Sequence, residues 1–166
     1  QVALMVQDGV RYKRLYTGQM QQDGRWEYPR GAAQGTYKPM ARTASLGWQI
    51  RSNNEKRDGL GLPLPSGQVA IYEGSRYGSL LAGESRLNDR AIGDDVEIDG
   101  SQSADVVLTE TPVKWDKKKH QWMLTVTNAR AEDVEIEIEL PLTTEMTKGV
   151  TRKKSKRVWR TIVPGG

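Results

Sequence analysis

The single histidine is the first residue to weigh for catalysis, because a serine–histidine–aspartate triad requires one. His120 follows the three lysines Lys117–Lys119 at an expected turn. The Gly-x-Ser-x-Gly turn that carries many serine nucleophiles does not occur in the sequence. The chain also has no cysteine, which excludes thiol nucleophiles, thiolate metal sites and disulfides. We therefore interpret His120 as an exposed turn residue.

Carboxylates cluster at Asp94, Asp95, Glu97 and Asp99, where they could offer oxygen ligands to calcium. The spacing lacks the central glycine and terminal glutamate of the calcium-binding helix–loop–helix motif. A solvated acidic turn that protects a strand edge explains the cluster better.

A glycosidase pair is a second use for carboxylates, and Glu84 with Asp89 or Asp94 could provide it. Such a pair needs two carboxyl groups about 5–10 Å apart, and distance along the sequence does not establish that. We favour a structural contact of Glu84 with Arg86 or with the backbone. The sequence therefore predicts no catalytic residue, no cofactor and no metal site.

A basic block near the end of the chain could contact an anionic surface through charge alone. The residues that would make this contact are Arg152, Lys153, Lys154, Lys156 and Arg157. Only Trp159 adds an aromatic ring, so specific nucleic-acid binding is not expected. The alternative is that the block matches the charges of a neighbouring acidic strand, Glu135, Glu137 and Glu139.

The elements that must position these residues have the two-residue rhythm of strands. Val134–Leu140 alternates apolar and acidic residues, and Ala44, Leu46, Trp48 and Ile50 form one apolar face. Shorter expected strands include residues 2–6 and 10–16, joined at Asp8-Gly9, then Leu80–Ala82, Val96–Ile98 closed by Gly100, and Asp105–Val113 stopped by Pro112.

We predict an all-β fold: one domain over residues 1–166, an antiparallel β-sandwich of immunoglobulin-like general architecture with little or no helix. An irregular insertion is expected at Thr17–Pro39, which is rich in Gln, Gly and Pro. A chain of 166 residues with a net charge of +4 can bury a core without staples. No apolar run is long enough for a membrane span. Because the sequence opens with Gln1, we expect a mature fragment or part of a longer protein.

The most distinctive stretch is a connector rich in glycine, leucine and proline, Gly59–Gly67, followed by an alternating strand at Val69–Tyr72. Prolines hold their predecessors extended, so the leucines can lie on a core. We interpret the connector as a structural motif made of Gly59, Gly61, Pro63, Pro65 and Gly67, with Gly83 and Glu84 further on.

This connector and Gly83-Glu84-Ser85-Arg86-Leu87 resemble the motifs G-L-G-x-P-L-P-x-G-x-V-R-V-Y and G-E-D-R-I. These motifs belong to the C-terminal β domain of bacterial envelope proteins known as domain of unknown function 4139, related to the mucoidy-inhibitor-like proteins. The resemblance covers about residues 41–166. Relatives show D-H-T-P after the second motif, where this chain has Asn88–Ile92, so a role for that histidine does not carry over. The resemblance implies export to the periplasm or cell envelope.

As function we expect a non-catalytic structural or protein-interaction module of a bacterial cell-envelope protein. Its partner would be another envelope protein or a strand from another chain. The alternative is a carbohydrate-binding or glycan-hydrolysing β domain, with Trp26, Tyr28 or Trp115 as sugar platforms.

Overall fold

The computed structural model describes residues 7–21, 40–115, 120–153 and 155–166. Within these residues the secondary structure consists of nine strands and one 3-10 turn at Lys56–Asp58. The strands are β1 Lys13–Gln19, β2 Arg42–Asn53, β3 Gly67–Ser75, β4 Gly78–Leu87, β5 Asp95–Trp115, β6 His120–Asn128, β7 Val134–Leu140, β8 Val150–Lys153 and β9 Lys156–Val163.

The strands form a seven-stranded sheet in the order β6-β5-β2-β1-β7-β9-β8 and a two-stranded sheet made of β3 and β4. The prediction of an all-β fold is confirmed, and the two sheets are consistent with a β-sandwich. One pairing departs from the antiparallel pattern. β1 runs parallel to β7, with Tyr16 opposite Ile136 and Gly18 opposite Ile138, so the large sheet is mixed.

Contacts along the chain divide it into two compact units. The described part of the first unit is residues 7–15 and 47–102, and it contains β3 and β4. The second unit takes residues 16–21, 40–46 and the described residues from 103 onward, and it contains β6 to β9. Strands β1, β2 and β5 each give residues to both units.

The core of the second unit is aliphatic. Val106, Leu108 and Leu46 are at most 1% exposed, as are Ile136 and Ile138. The alternation predicted for Val134–Leu140 is confirmed, because Val134, Ile136, Ile138 and Leu140 are all buried. Burying these side chains supplies the main driving force for this unit, at about 25 cal/mol per Å² of apolar surface.

Tertiary pairing extends strands beyond the predicted boundaries. β1 continues through Gln19, into the segment predicted as an irregular insertion, because Thr17, Gly18 and Gln19 pair with β7. The rest of that insertion, from 22 to 39, lies outside the described residues, as do residues 2–6 of the predicted first strand.

Two predicted strands prove to be one. β5 runs unbroken from Asp95 to Trp115, through Gly100 and Pro112, which were expected to end strands. A glycine is needed at 100 because a Cβ there would collide with the Trp48 ring. Pro112 is accommodated at a shift in register between Pro112 and Lys114, where a missing N–H is tolerated.

Candidate functional site

The connector is held in place by one buried amide, Asn54, at the end of β2 in the first unit. Its side chain is 0% exposed. The Nδ2 group donates to the carbonyl oxygens of Leu62 at 2.7 Å and Ala91 at 2.8 Å, and Oδ1 accepts the Gly61 N–H at 3.0 Å. A buried amide with both donors and its acceptor satisfied fixes the segments it joins. Asn54 therefore ties β2, the connector and the 90–94 loop together.

Backbone hydrogen bonds also join Asn54 and the connector to the 90–94 loop. Asn54 N–H donates to Asp94 O and Gly93 N–H donates to Asn54 O, each at 2.8 Å. Leu64 and Arg90 exchange two hydrogen bonds of 2.9 Å as an isolated antiparallel bridge. The connector is therefore extended at Leu64, between its two prolines, and it pairs with the 90–94 loop as a short strand would.

Glycine at position 61 has a steric reason. Its φ is 91°, and a Cβ there would lie 2.7 Å from Lys56 N, so a side chain would strain the backbone and displace the 3-10 turn. Gly59 has a φ of 84°, and a Cβ there would lie 2.9 Å from Gly9 O and 2.9 Å from Val10 Cα. Gly67 opens β3 with nothing near its Cβ position, and the structure gives no steric reason for it.

Two carboxylates bind backbone N–H groups of the connector and of the 90–94 loop. Asp89 accepts the Ser66 N–H at 2.6 Å, and Asp94 accepts the Ala91 N–H at 2.8 Å. Carboxylates that accept backbone N–H groups stabilise turns of this kind.

A second cluster in the first unit supports the β3–β4 pair, which we name the ribbon. Its Gly83 would bring a Cβ to 3.2 Å from Gly100 Cα, and Ser101 Oγ donates to Ala82 O at 2.9 Å. Two glycines thus let the ribbon backbone approach β5 directly. On the other side of Gly100 lies the Trp48 ring, and the Arg14 guanidinium stacks over that ring at 4.5 Å.

Arg14 completes this cluster by forming a salt bridge with Glu73 of β3. A cation placed over a tryptophan face and paired with a carboxylate is held by both contacts. Trp48 itself is only 7% exposed. The cluster therefore fixes the inner face of the ribbon to the rest of the first unit.

The outer face of the ribbon carries exposed apolar side chains. Tyr72 is 62% exposed and lies opposite Leu81, which is 53% exposed. At the turn between the strands Tyr77 is 80% exposed, with the Arg76 guanidinium 4.8 Å from its ring. Exposed aromatic and aliphatic side chains grouped on one face are typical of contact surfaces.

Glu84, considered above as half of a carboxylate pair, lies opposite Ala70 on this outer face and is exposed. Two further acidic residues of the candidate calcium cluster contact neighbouring side chains. Asp99 accepts from Gln49 Nε2 at 2.7 Å, and Glu97 lies 3.3 Å from Arg51 Nε. The described residues contain no group of three or more side chains suited to hold a metal ion.

The described members of the basic block lie on β8 and β9 in the second unit. Two of them, and the neighbouring Arg160, pair with glutamates, as the charge-matching interpretation predicts. Lys156 Nζ lies 2.6 Å from Glu139, Lys153 Nζ lies 3.3 Å from Glu137, and Arg160 also binds Glu137. Arg160 and Glu137 are opposite each other in the β7–β9 register. Glu137 is only 8% exposed.

Two other members, Arg152 and Arg157, are opposite each other in the β8–β9 register. Contact of these arginines with an anionic surface stays a prediction, and Lys154 lies outside the described residues.

A second buried amide, Asn128, performs in the second unit the task of Asn54 in the first. Its Nδ2 donates to Glu132 O at 2.9 Å and Pro164 O at 3.0 Å, and its Oδ1 accepts the Arg130 N–H at 3.0 Å. Gly166 N–H donates to Arg130 O at 2.9 Å. The residues after β9 are therefore bound to the turn that precedes β7.

Among the described residues, Glu110 of β5 is a buried acid with a hydrogen bond to only one of its two carboxyl oxygens. It is 3% exposed on the same side as Val106 and Leu108. Oε1 accepts the Gln21 N–H at 3.0 Å, whereas Oε2 is buried without a hydrogen-bond partner in the described part of the chain. Burial raises the pKa of this carboxyl, and the Gln21 hydrogen bond and the charge of Arg42 oppose the rise.

The aromatic platforms of the carbohydrate hypothesis cannot be placed. Trp26 and Tyr28 lie outside the described residues, as does the Trp115 side chain. His120 opens β6 opposite Trp115 and is exposed. In the described part of the chain, no helix has the length and apolar character that crossing a membrane demands.

The sequence indicated a structural role for the connector and Gly83-Glu84, but no role for Asn54, Asn128 or the Arg14–Trp48–Glu73 cluster. An asparagine at the end of a strand and before a turn was the available signal for both amides. Comparison with models of protein families, with curated proteins and with solved structures finds no match for this chain.

Proposed function

We propose that this chain is a non-catalytic protein-interaction module of a bacterial cell-envelope protein, related to domain of unknown function 4139 by its connector. The observation that supports the proposal best is the ribbon, which combines a fixed inner face with an exposed apolar outer face. Its contact residues are Tyr72, Leu81 and Tyr77, and its partner is another envelope protein.

The ribbon suits binding because it is held before a partner arrives. Gly83 lies against Gly100, and Glu73 binds Arg14, so the backbone that carries Tyr72 and Leu81 is fixed to the first unit. A surface that needs no ordering on binding loses less conformational entropy, which favours affinity. Tyrosine is also enriched in binding surfaces because it combines a large apolar ring with a hydroxyl.

The contacts of three buried polar side chains support the proposal that the module is non-catalytic. Asn54 and Asn128 bind backbone groups, and Glu137 binds Arg160 and Lys153. These contacts serve the fold. A catalytic group needs instead to meet a substrate at an accessible position.

The test is site-specific photo-crosslinking in bacterial cells that carry the full-length protein. A photoreactive residue replaces Tyr72 in one variant and Ile162 in a control variant. The two positions have matched exposure, 62% and 64%, but Ile162 lies on β9. We expect a discrete protein adduct in the envelope fraction from position 72 and none from position 162. No adduct, or the same adducts from both positions, would overturn the proposal.

A further inference from the structure

Strand β6 is an edge strand of the large sheet. It is the first strand in the sheet order, and among the described residues it pairs on one side only, with β5. Gln121–Asn128 contains no charged residue, no glycine and no proline, although 28% of the chain is charged. A strand edge with these properties is an open template for pairing with another strand.

The other edge strands of the described sheets carry features that discourage pairing with a further strand. β8, at the opposite end of the large sheet, has only four residues, and two of them are Arg152 and Lys153. In the ribbon, β3 contains Glu73 and β4 contains Glu84 and Arg86. Short length and charge both discourage edge pairing. Only β6 lacks both.

We propose that β6 pairs antiparallel with β6 of a second copy of this chain, in the register that places Leu124 opposite Leu124. Trp122 then lies opposite Val126, an aromatic and β-branched pair that stabilises antiparallel strands. Met123 lies opposite Thr125, and Gln121 opposite Thr127. No like charges meet.

The burial pattern of β6 agrees with this register. Trp122, Leu124 and Val126 are half-buried on one face, whereas Met123 and Thr125 are exposed on the other. A register that pairs residue 124 with itself keeps each set on its own face. The apolar face of one copy therefore continues into that of the second, and the two-fold symmetry closes the assembly as a dimer.

This surface lies in the second unit and is independent of the ribbon on which the proposed function rests. Self-association is measured with the purified chain, whereas the proposed function is measured by adducts in cells. Failure of one result therefore leaves the other intact.

The register makes a charge-swap experiment possible. In the double variant M123K/T125K, each lysine faces a lysine of the second copy. In M123K/T125E, each lysine faces a glutamate instead. Met123 is 52% exposed and Thr125 is also exposed, so both variants keep the buried face of β6. The control Q68K/A70K adds the same charges as M123K/T125K to exposed positions on the ribbon.

Sedimentation equilibrium is the measurement. We expect the unchanged chain, M123K/T125E and Q68K/A70K to reach twice the chain mass with rising concentration. M123K/T125K is expected to dimerise at least about tenfold more weakly, because two like-charge pairs together are worth about that factor. An equal mixture of M123K/T125K and M123E/T125E is expected to restore the dimer.

Three results would overturn the proposal. The unchanged chain could sediment as a monomer at every concentration. M123K/T125K could dimerise as well as the unchanged chain, which would place the contact elsewhere. M123K/T125E could be as weak as M123K/T125K, which would exclude the register. A monomer whose β6 amides gain protection from exchange on adding an extended peptide would show a partner strand at this edge instead of a second copy.

Discussion

Asn54 and Asn128 show how single side chains determine the course of long irregular segments in this chain. Each amide is buried, donates to main-chain carbonyls and accepts one backbone N–H. Strands satisfy their own backbone groups, but a turn inside the protein needs partners from side chains. An asparagine meets this need because it offers donors and an acceptor on one short side chain.

The first prediction concerns Asn54→Asp. A carboxylate has the same shape but would aim oxygens at the carbonyls of Leu62 and Ala91, leaving them without donors. We expect the free energy of unfolding at neutral pH to fall by more than about 3 kcal/mol. Urea unfolding measures this. Asn53→Asp adds the same charge at the neighbouring exposed position and serves as control. Equal effects of the two changes would show that the hydrogen bonds of Asn54 do not hold the connector.

The second prediction concerns the buried carboxyl of Glu110. Because burial raises its pKa, the folded chain holds this proton more tightly than the unfolded chain does. The ionised form therefore costs stability at neutral pH, and this cost disappears as the pH falls through the raised pKa. Glu110→Gln keeps an acceptor for the Gln21 N–H and removes the charge.

We accordingly expect Glu110→Gln to unfold at a higher temperature than the unchanged chain at neutral pH, with a difference that shrinks as the solution is acidified. Thermal unfolding followed by circular dichroism across this pH range is the measurement. A variant that is less stable at neutral pH, or a difference that stays constant with pH, would contradict the role assigned to burial.

At the scale of elements, the ribbon and β5 approach each other through glycines instead of side chains. Gly83 and Gly100 lie against each other, and the Trp48 ring occupies the space over Gly100. Glycine weakens a strand, so its presence in two strands at one contact indicates a close backbone approach. The cost is offset by Trp48, which is buried at this point.

The third prediction tests this contact. Gly100→Ala places a methyl group against the Trp48 ring, and overpacking of this kind costs about 1–3 kcal/mol. We expect lower stability together with a change in tryptophan fluorescence. Gly74→Ala is the matched control in β3, because nothing lies within 4 Å of its Cβ position. If the two variants were equally stable, the packing of Trp48 on Gly100 would not support the ribbon.

The fourth prediction concerns the paired charges of β7, β8 and β9. Glu137 is buried between Arg160 and Lys153, whereas Glu139 is more exposed and pairs with Lys156. We expect Glu137→Gln to lower the free energy of unfolding by about 1 kcal/mol or more and Glu139→Gln to change it by a few tenths. Chemical denaturation of both variants gives the comparison, and a larger loss for Glu139→Gln would contradict it.

At the scale of the whole molecule, the strands could be predicted because burial on one face leaves a two-residue period in the sequence. Val134–Leu140 is the clearest case. The parallel pairing of β1 with β7 could not be predicted, since nothing in Thr17–Gln19 shows which strand it meets. The continuity of β5 through Gly100 was also hidden, because a glycine that ends a strand looks the same as one that admits a tryptophan.

The candidate surfaces also differ in how far the sequence predicts them. The connector was interpreted as structural, since its glycines and prolines restrict the backbone locally. The exposure of Tyr72 and Leu81 was not recognised, because an alternating strand does not show which of its faces is covered.

We propose above all that the ribbon binds a partner through Tyr72 and Leu81 and that these two side chains do not contribute to the stability of the fold. The most direct measurement places a photoreactive residue at position 81 and compares adduct yield with and without the change Tyr72→Ser, alongside the melting temperature. We predict that the yield falls several-fold while the melting temperature is unchanged, since Tyr72 is mostly exposed. An unchanged yield, or a loss that follows a lower melting temperature, would contradict the account.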